Sequence, residues 1–191
     1  MTATPEVPPA KTERHTARWV AIGVLVVMAG LVAVLATRPS AIQEAALNPV
    51  VGEMAPPISG ETLAGTRYSL PRAPGKFVVV SFFASWCAQC QEEGPRLVTF
   101  QFQHQRSGTA TVLSVMFSDS QSSARASQAL LGVTWPTMVD AGGTIALDFG
   151  VKELPSTFLI ATDGHVVASF TAPVTATELD QYMARATAEH A

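Results

Sequence analysis

The chain has 191 residues, 48% of them hydrophobic and 14% charged, with a formal net charge of −3. That length holds one domain plus an appendage. No Lys/Arg cluster occurs beyond the N-terminal region, so the electrostatic footprint of a nucleic-acid partner is missing.

The appendage comes first. Trp19 to Thr37 (WVAIGVLVVMAGLVAVLAT) is nineteen residues without a charge. At about 1.5 Å per residue, a helix of that length spans nearly the ~30 Å hydrocarbon core of a bilayer. Lys11, Arg14 and Arg18 precede it, Arg38 follows, and the remainder leans acidic. The positive-inside bias therefore predicts residues 1–18 as a cytoplasmic tail, 19–37 as a single transmembrane anchor and the rest as extracytoplasmic, at the cell membrane. A cleaved signal peptide is the alternative, with Val34-Leu35-Ala36 as its cleavage site, but its apolar core would run for only about 7–15 residues. Residues 38–48 read as a short tether, and residues 49–191 as one folded domain.

Within the domain, the proline-punctuated stretch Pro49–Pro57 predicts an extended lead-in segment. Thr66–Leu70 alternates polar and apolar and predicts a short edge strand. Lys76–Phe83 is an unbroken apolar run, as expected of a strand buried on both faces. A helix then opens at Cys87 and carries Leu97, Val98, Phe100 and Phe102 at helical spacing, with a kink predicted at Pro95 and an end at Ser107-Gly108. Thr111–Phe117 predicts a second buried strand, Ser122–Leu131 a helix, and Pro136–Asp140 a short extended piece. Gly143–Phe149 predicts one or two helical turns closed by Gly150. Ser156–Ala161 and His165–Phe170 form a hairpin through the tight-turn pair Asp163-Gly164. Thr175-Ala176-Thr177-Glu178 is a capping box that starts a last helix, with Leu179, Tyr182, Met183 and Ala186 on one face. This order predicts an α/β fold: a mixed central sheet, parallel in its first half and antiparallel at its end, with helices on both faces.

The chemistry lies in Ser85-Trp86-Cys87-Ala88-Gln89-Cys90, which holds the only two cysteines of the chain. Two cysteines three apart on a first helical turn can close a small disulfide ring. The unpaired amides and dipole at that helix end favour a thiolate at Cys87, which is expected to be exposed, with Cys90 behind it to resolve a mixed disulfide. A zinc site would need a second ligand pair, and His15, His104, His165 and His190 are scattered singly. A purely structural bond is also open, although so short a ring constrains the unfolded chain little. An extracytoplasmic protein that spends both cysteines on one adjacent pair points to redox chemistry. Glu93, three positions after Cys90, lies on the same helical side, where a partly buried carboxylate can exchange a proton with the resolving thiol. Glu92 reads as an ordinary helix-start acid.

Val79–Pro95 (VVSFFASWCAQCQEEGP) resembles the active-site strand and helix of thioredoxin-fold proteins, and Leu154-Pro155-Ser156-Thr157-Phe158 is similar to the cis-proline loop of that fold. With the N-terminal anchor, the chain resembles the TlpA/ResA branch, whose members supply electrons to extracytoplasmic disulfides, notably in cytochrome c maturation. The resemblance implies a thiol–disulfide oxidoreductase with Cys87 as nucleophile, Cys90 resolving and Glu93 as proton relay. It implies substrate contacts at Trp86, Leu154 and Pro155, with the backbone of Leu154 available for strand addition. Its partners would be protein thiols and disulfides and a membrane electron donor, with no cofactor beyond the Cys87–Cys90 disulfide and no metal. Ser81 stands where thioredoxin itself carries a buried aspartate, which shifts the proton-relay role to Glu93. Ala88-Gln89 differs from thioredoxin's Gly-Pro, so the direction of electron flow stays open, and a disulfide-forming oxidase of the same fold is the first alternative. The second is a Cu(I) chaperone holding the metal between the two thiolates, with His165 as a third ligand.

Overall fold

The central strand β3 (Phe77–Phe83) is buried at every position, and its residues point alternately to two cores. Val78, Val80 and Phe82 enter one, with Leu113, Val115, Met138, Phe149 and Phe158. Phe77 and Val79 enter the other, with Leu97, Phe100, Val112, Leu159 and Leu179. This two-sided burial is the reason for a run without alternation. The first core is centred on Phe82, Phe149 and Phe158, whose ring centroids lie 5.0–5.7 Å apart.

The computed structural model describes residues 13–36 and 48–189, the side chains of 13–17, 31–36 and 189 excepted. In chain order the elements are α1 (Glu13–Ala36), β1 (Ser59–Glu61), β2 (Arg67–Ser69), β3, α2 (Ala88–His104), β4 (Ala110–Phe117) and α3 (Gln121–Leu131). They continue with β5 (Thr137–Asp140), α4 (Thr144–Asp148), β6 (Ser156–Ile160), β7 (Val166–Phe170) and α5 (Ala176–Glu189). Five strands form one sheet in the order β5-β4-β3-β6-β7. Strands β3, β4 and β5 run parallel; β6 is antiparallel to β3, and β7 to β6. Helices α2 and α5 pack on one face through Leu97, Phe100, Leu179 and Met183, and α4 with the lead-in segment covers the other.

The mixed sheet and its flanking helices match the expectation, and α2 runs through Pro95 without ending. Two details differ. The lead-in segment begins as turns (Val51 N–H to Asn48 C=O, 3.1 Å; Glu53 N–H to Val50 C=O, 3.2 Å) and is extended only from Met54. Strand β1 was not predicted: Ser59-Gly60-Glu61 is exposed and carries no β-forming side chain, and it exists because it pairs with β2.

The chain divides into two units, Met1–Pro39 and Ser40–Ala191. In the first, α1 is helical, but its side chains are described only for residues 18–30, all of them exposed. Among the described residues no helix is long and apolar enough to cross a membrane. The expected anchor at 19–37 thus falls partly outside the described residues, as do most of the tail at 1–18 and of the tether at 38–48.

Candidate active site

Strand β3 ends at Phe83, and a tight turn (Cys87 N–H to Ala84 C=O, 3.1 Å) delivers Cys87 to the head of α2. Cys87 is the N-cap: its backbone is extended, and its Sγ accepts the Cys90 N–H at 3.1 Å. Sulfur here takes the place of the usual serine or aspartate oxygen, opposite one of the orphan amides of the first turn. The two cysteines are disulfide-bonded, with Cα atoms 5.2 Å apart. An amide N–H and the positive end of a helix, the groups that face this sulfur, are ones that favour a thiolate over a thiol.

The expected contrast between an exposed Cys87 and a covered Cys90 is not what the structure shows. Their exposures are 6% and 5%. Both cysteines belong to a buried cluster with Leu63, Phe83, Ala84, Met116 and Ala124, and Leu154 packs against that cluster. Trp86 is 66% exposed, and its indole N–H is tied to the Ser118 carbonyl at 3.0 Å. It presents an open apolar surface next to the disulfide.

Glu93 is 1% exposed, one turn into the helix beyond Cys90. All its hydrogen-bond partners are donors. Ser81 Oγ donates to Oε2 at 3.1 Å, Thr157 Oγ1 approaches Oε1 and Oε2 at 3.0 and 3.1 Å, and Val174 N–H donates to Oε1 at 3.2 Å. Burial pushes the carboxyl up from its usual range, while the donations from Val174, Thr157 and Ser81, and the nearby Arg96, pull it back. The donors oppose the cost of burying the charge, and the net effect of burial is to make the carboxyl hold a proton more readily than an exposed glutamate does. Glu92, by contrast, is exposed and paired with Arg96, as an ordinary surface acid.

Ser81, Ser114, Thr137 and Thr157 are in register across β3, β4, β5 and β6, forming one polar row in a buried sheet. Ser81 and Thr157 serve Glu93; Ser114 Oγ accepts the Trp135 indole N–H at 2.8 Å. Ser81 thus occupies the place at which the carboxylate of Glu93 arrives from α2. The sequence reading missed Thr157 and Ser114; a signal exists for Ser114, a single hydroxyl between Val112-Leu113 and Val115-Met116, but not for Thr157, which follows Ser156 at the start of its strand.

The Leu154-Pro155 bond is cis. It precedes β6, and register pairing of Ser156 with Phe82 places it at the same end of the sheet as the sulfurs. Neither the N–H nor the C=O of Leu154 makes a backbone hydrogen bond among the described residues. The structure therefore brings together Cys87, Cys90, Trp86, Leu154 and Pro155 at one end of the sheet, with Glu93 beneath.

His165 is not among them. It follows the opposite end of β6, beyond Ile160, which pairs with Val78 at the start of β3, and it bonds Asp163 at 3.1 Å. At about 3.3 Å per residue, the five residues of β6 alone separate it from the sulfurs by roughly 16 Å. It cannot serve as a third copper ligand there, and no three His, Cys, Asp or Glu side chains cluster as a metal site among the described residues.

Residues 51–169 match the AhpC/TSA family. The chain belongs to that family. Among its relatives is the thiol-disulfide oxidoreductase ResA of Bacillus subtilis (strain 168), 30% identical over 132 residues that cover 69% of this chain and 73% of that protein. The thioredoxin-like protein YneN of the same organism is 29% identical over 133 residues, covering 68% and 76%. A crystal structure of a thiol:disulfide interchange protein of the thioredoxin family from Chlorobium tepidum TLS superposes with a TM-score of 0.63 at 25% identity, over 70% of this chain and 94% of that one. A secreted Mycobacterium tuberculosis disulfide oxidoreductase homologous to E. coli DsbE shares the fold, with a TM-score of 0.59 at 21% identity over 67% and 95%. Within the family, the paired cysteines at a helix head make this chain an enzyme of the thiol–disulfide oxidoreductase class, as the resemblance to the ResA branch implied.

Proposed function

We propose that this enzyme reduces protein disulfides outside the cytoplasm, in the manner of cytochrome c maturation. The observation that carries the reading is the disulfide at the N-cap of α2 with a donor-caged, buried Glu93 one turn behind it. The Cys87 thiolate attacks one sulfur of a substrate disulfide; that S–S bond breaks, and the departing thiolate takes a proton from water. Cys90 passes its proton to Glu93 and attacks Cys87 Sγ, so the mixed disulfide breaks, the second substrate thiolate leaves and Cys87–Cys90 closes. Two electrons have moved from the enzyme to the substrate. A membrane electron donor returns them, and residues 19–37 anchor the chain beside that donor, with 1–18 inside the cell. Trp86 offers the substrate an apolar surface, and the free backbone groups of Leu154 pair with an extended substrate strand beside Pro155.

Cys90→Ser is expected to trap mixed disulfides with extracytoplasmic proteins, whereas Cys87→Ser traps none. Absence of trapped partners from the Cys90→Ser strain contradicts the scheme. The equilibrium with glutathione fixes the direction: a potential below about −220 mV supports the reductase, and one near −120 mV makes the protein an oxidase instead.

A further inference from the structure

The loop between β4 and α3 lies 34 residues from the active-site turn in sequence and has no part in the exchange scheme. It nevertheless holds that turn from outside. Asp119 Oδ2 accepts the Ser85 N–H at 2.6 Å, and the Ser118 carbonyl accepts the Trp86 indole N–H at 3.0 Å. From the other side, Gln91 Nε2 donates to the Ser85 carbonyl at 3.0 Å and to Ser127 Oγ on α3 at 2.8 Å. Both peptide groups of Ser85 are therefore fixed by side chains, two residues before the attacking sulfur.

The backbone of this loop is unusual at the same point. Ser118 has a φ of 52°, and no other non-glycine residue among the described residues has a positive φ. Such a conformation is disfavoured for a residue with a Cβ and persists where the surroundings enforce it. Here it accompanies the delivery of two acceptors, the Ser118 carbonyl and the Asp119 carboxylate, to consecutive residues of the turn. Asp119 Oδ1 also accepts the Ser120 N–H at 2.7 Å, and Ser120 caps α3 through the Ser123 N–H at 3.0 Å. One carboxylate thereby ties the head of α3 to the turn that leads into α2.

We propose that Asp119 is a positioning residue for the attacking sulfur: by holding the Ser85 amide it fixes the turn that places Cys87 Sγ against the Cys90 N–H. This deepens the exchange reading of Cys87 and rests on it. Positioning and charge make opposite predictions. If Asp119 acts by holding the turn, its loss lets Cys87 leave the N-cap, and the thiol ionises less readily. If it acts only as a nearby negative charge, its loss makes Cys87 ionise more readily.

The test is the pH profile of iodoacetamide alkylation at Cys87 in the reduced full-length protein, with the modified cysteine located by peptide mass. This readout does not depend on any substrate. Asp119→Ala is expected to lower the alkylation rate near neutral pH about tenfold, with the profile displaced to higher pH. Asp119→Asn keeps one acceptor oxygen for Ser85 and is expected to recover most of the rate. Ser120→Ala removes the α3 cap and leaves the Ser85 bond, so it lowers stability and leaves the profile in place. An unchanged profile in Asp119→Ala, a displacement to lower pH in both Asp119 variants, or an equal displacement in Ser120→Ala overturns the proposal. Should Asp119→Ala not fold, Gln91→Leu, which releases the other side of Ser85, is expected to displace the profile in the same direction; no displacement there overturns it equally. Wild-type protein that alkylates normally but exchanges with no protein disulfide would refute the functional reading and leave the positioning result to be judged by the profiles alone.

Discussion

Thr157→Val removes one hydroxyl from the cage around Glu93 and nearly preserves shape. Thr157 is fully buried, and Oγ1 lies 3.0 and 3.1 Å from the two carboxylate oxygens. A hydrogen bond to a charged group contributes about 1.5–3 kcal/mol, against about 0.5–1.5 kcal/mol for a neutral pair. Burial has already raised the Glu93 carboxyl above its value in the unfolded chain, and losing a donor raises it further. A group with a raised folded pKa contributes stability that is complete below the unfolded pKa and is lost as pH rises through the folded one. In the variant that loss begins at the same unfolded pKa, runs on to higher pH and goes deeper. Urea unfolding across the acid-to-alkaline range should show Thr157→Val less stable than wild type by about 0.5–1.5 kcal/mol in acid and by about 1.5–3 kcal/mol in alkali. Equal losses at both ends would mean that the hydroxyl does not serve an ionised carboxylate, and the proton-relay role would lose its structural support.

Glu93→Gln keeps the shape and removes the proton acceptor; resolution of a mixed disulfide with a peptide substrate should slow by about 100-fold or more in stopped-flow measurements, while the first attack by Cys87 changes little. The same variant should lose much of the wild type's fall in stability toward alkaline pH, because no buried carboxylate remains to ionise. Gly164→Ala should destabilise the hairpin turn by about 3 kcal/mol or more in urea unfolding, since φ is +100° and a Cβ would sit 1.8 Å from the Arg72 carbonyl oxygen.

What the sequence disclosed followed from local chemistry. The unbroken apolar run at Phe77–Phe83, the capping box at Thr175–Glu178 and the Asp163-Gly164 turn each carry their own signal, and each element formed where expected. Cys87 at a helix head needed only the strand before it and the spacing to Cys90. The parts that stayed hidden depend on contacts across the chain. Strand β1 has no propensity of its own and forms on β2. The buried cluster that takes in Cys87 also includes Leu63, Met116 and Ala124, from three separate segments. Asp119 looks like any loop acid until the fold brings it under Ser85. His165 misled because a turn histidine says nothing about which end of the sheet it occupies.

The account depends on the N-cap sulfur being activated by the helix it begins. In the Cys90→Ser variant, the thiolate absorbance of Cys87 should titrate well below the value of about 8.5 for a free cysteine. A midpoint at or above about 8.5 would contradict the account.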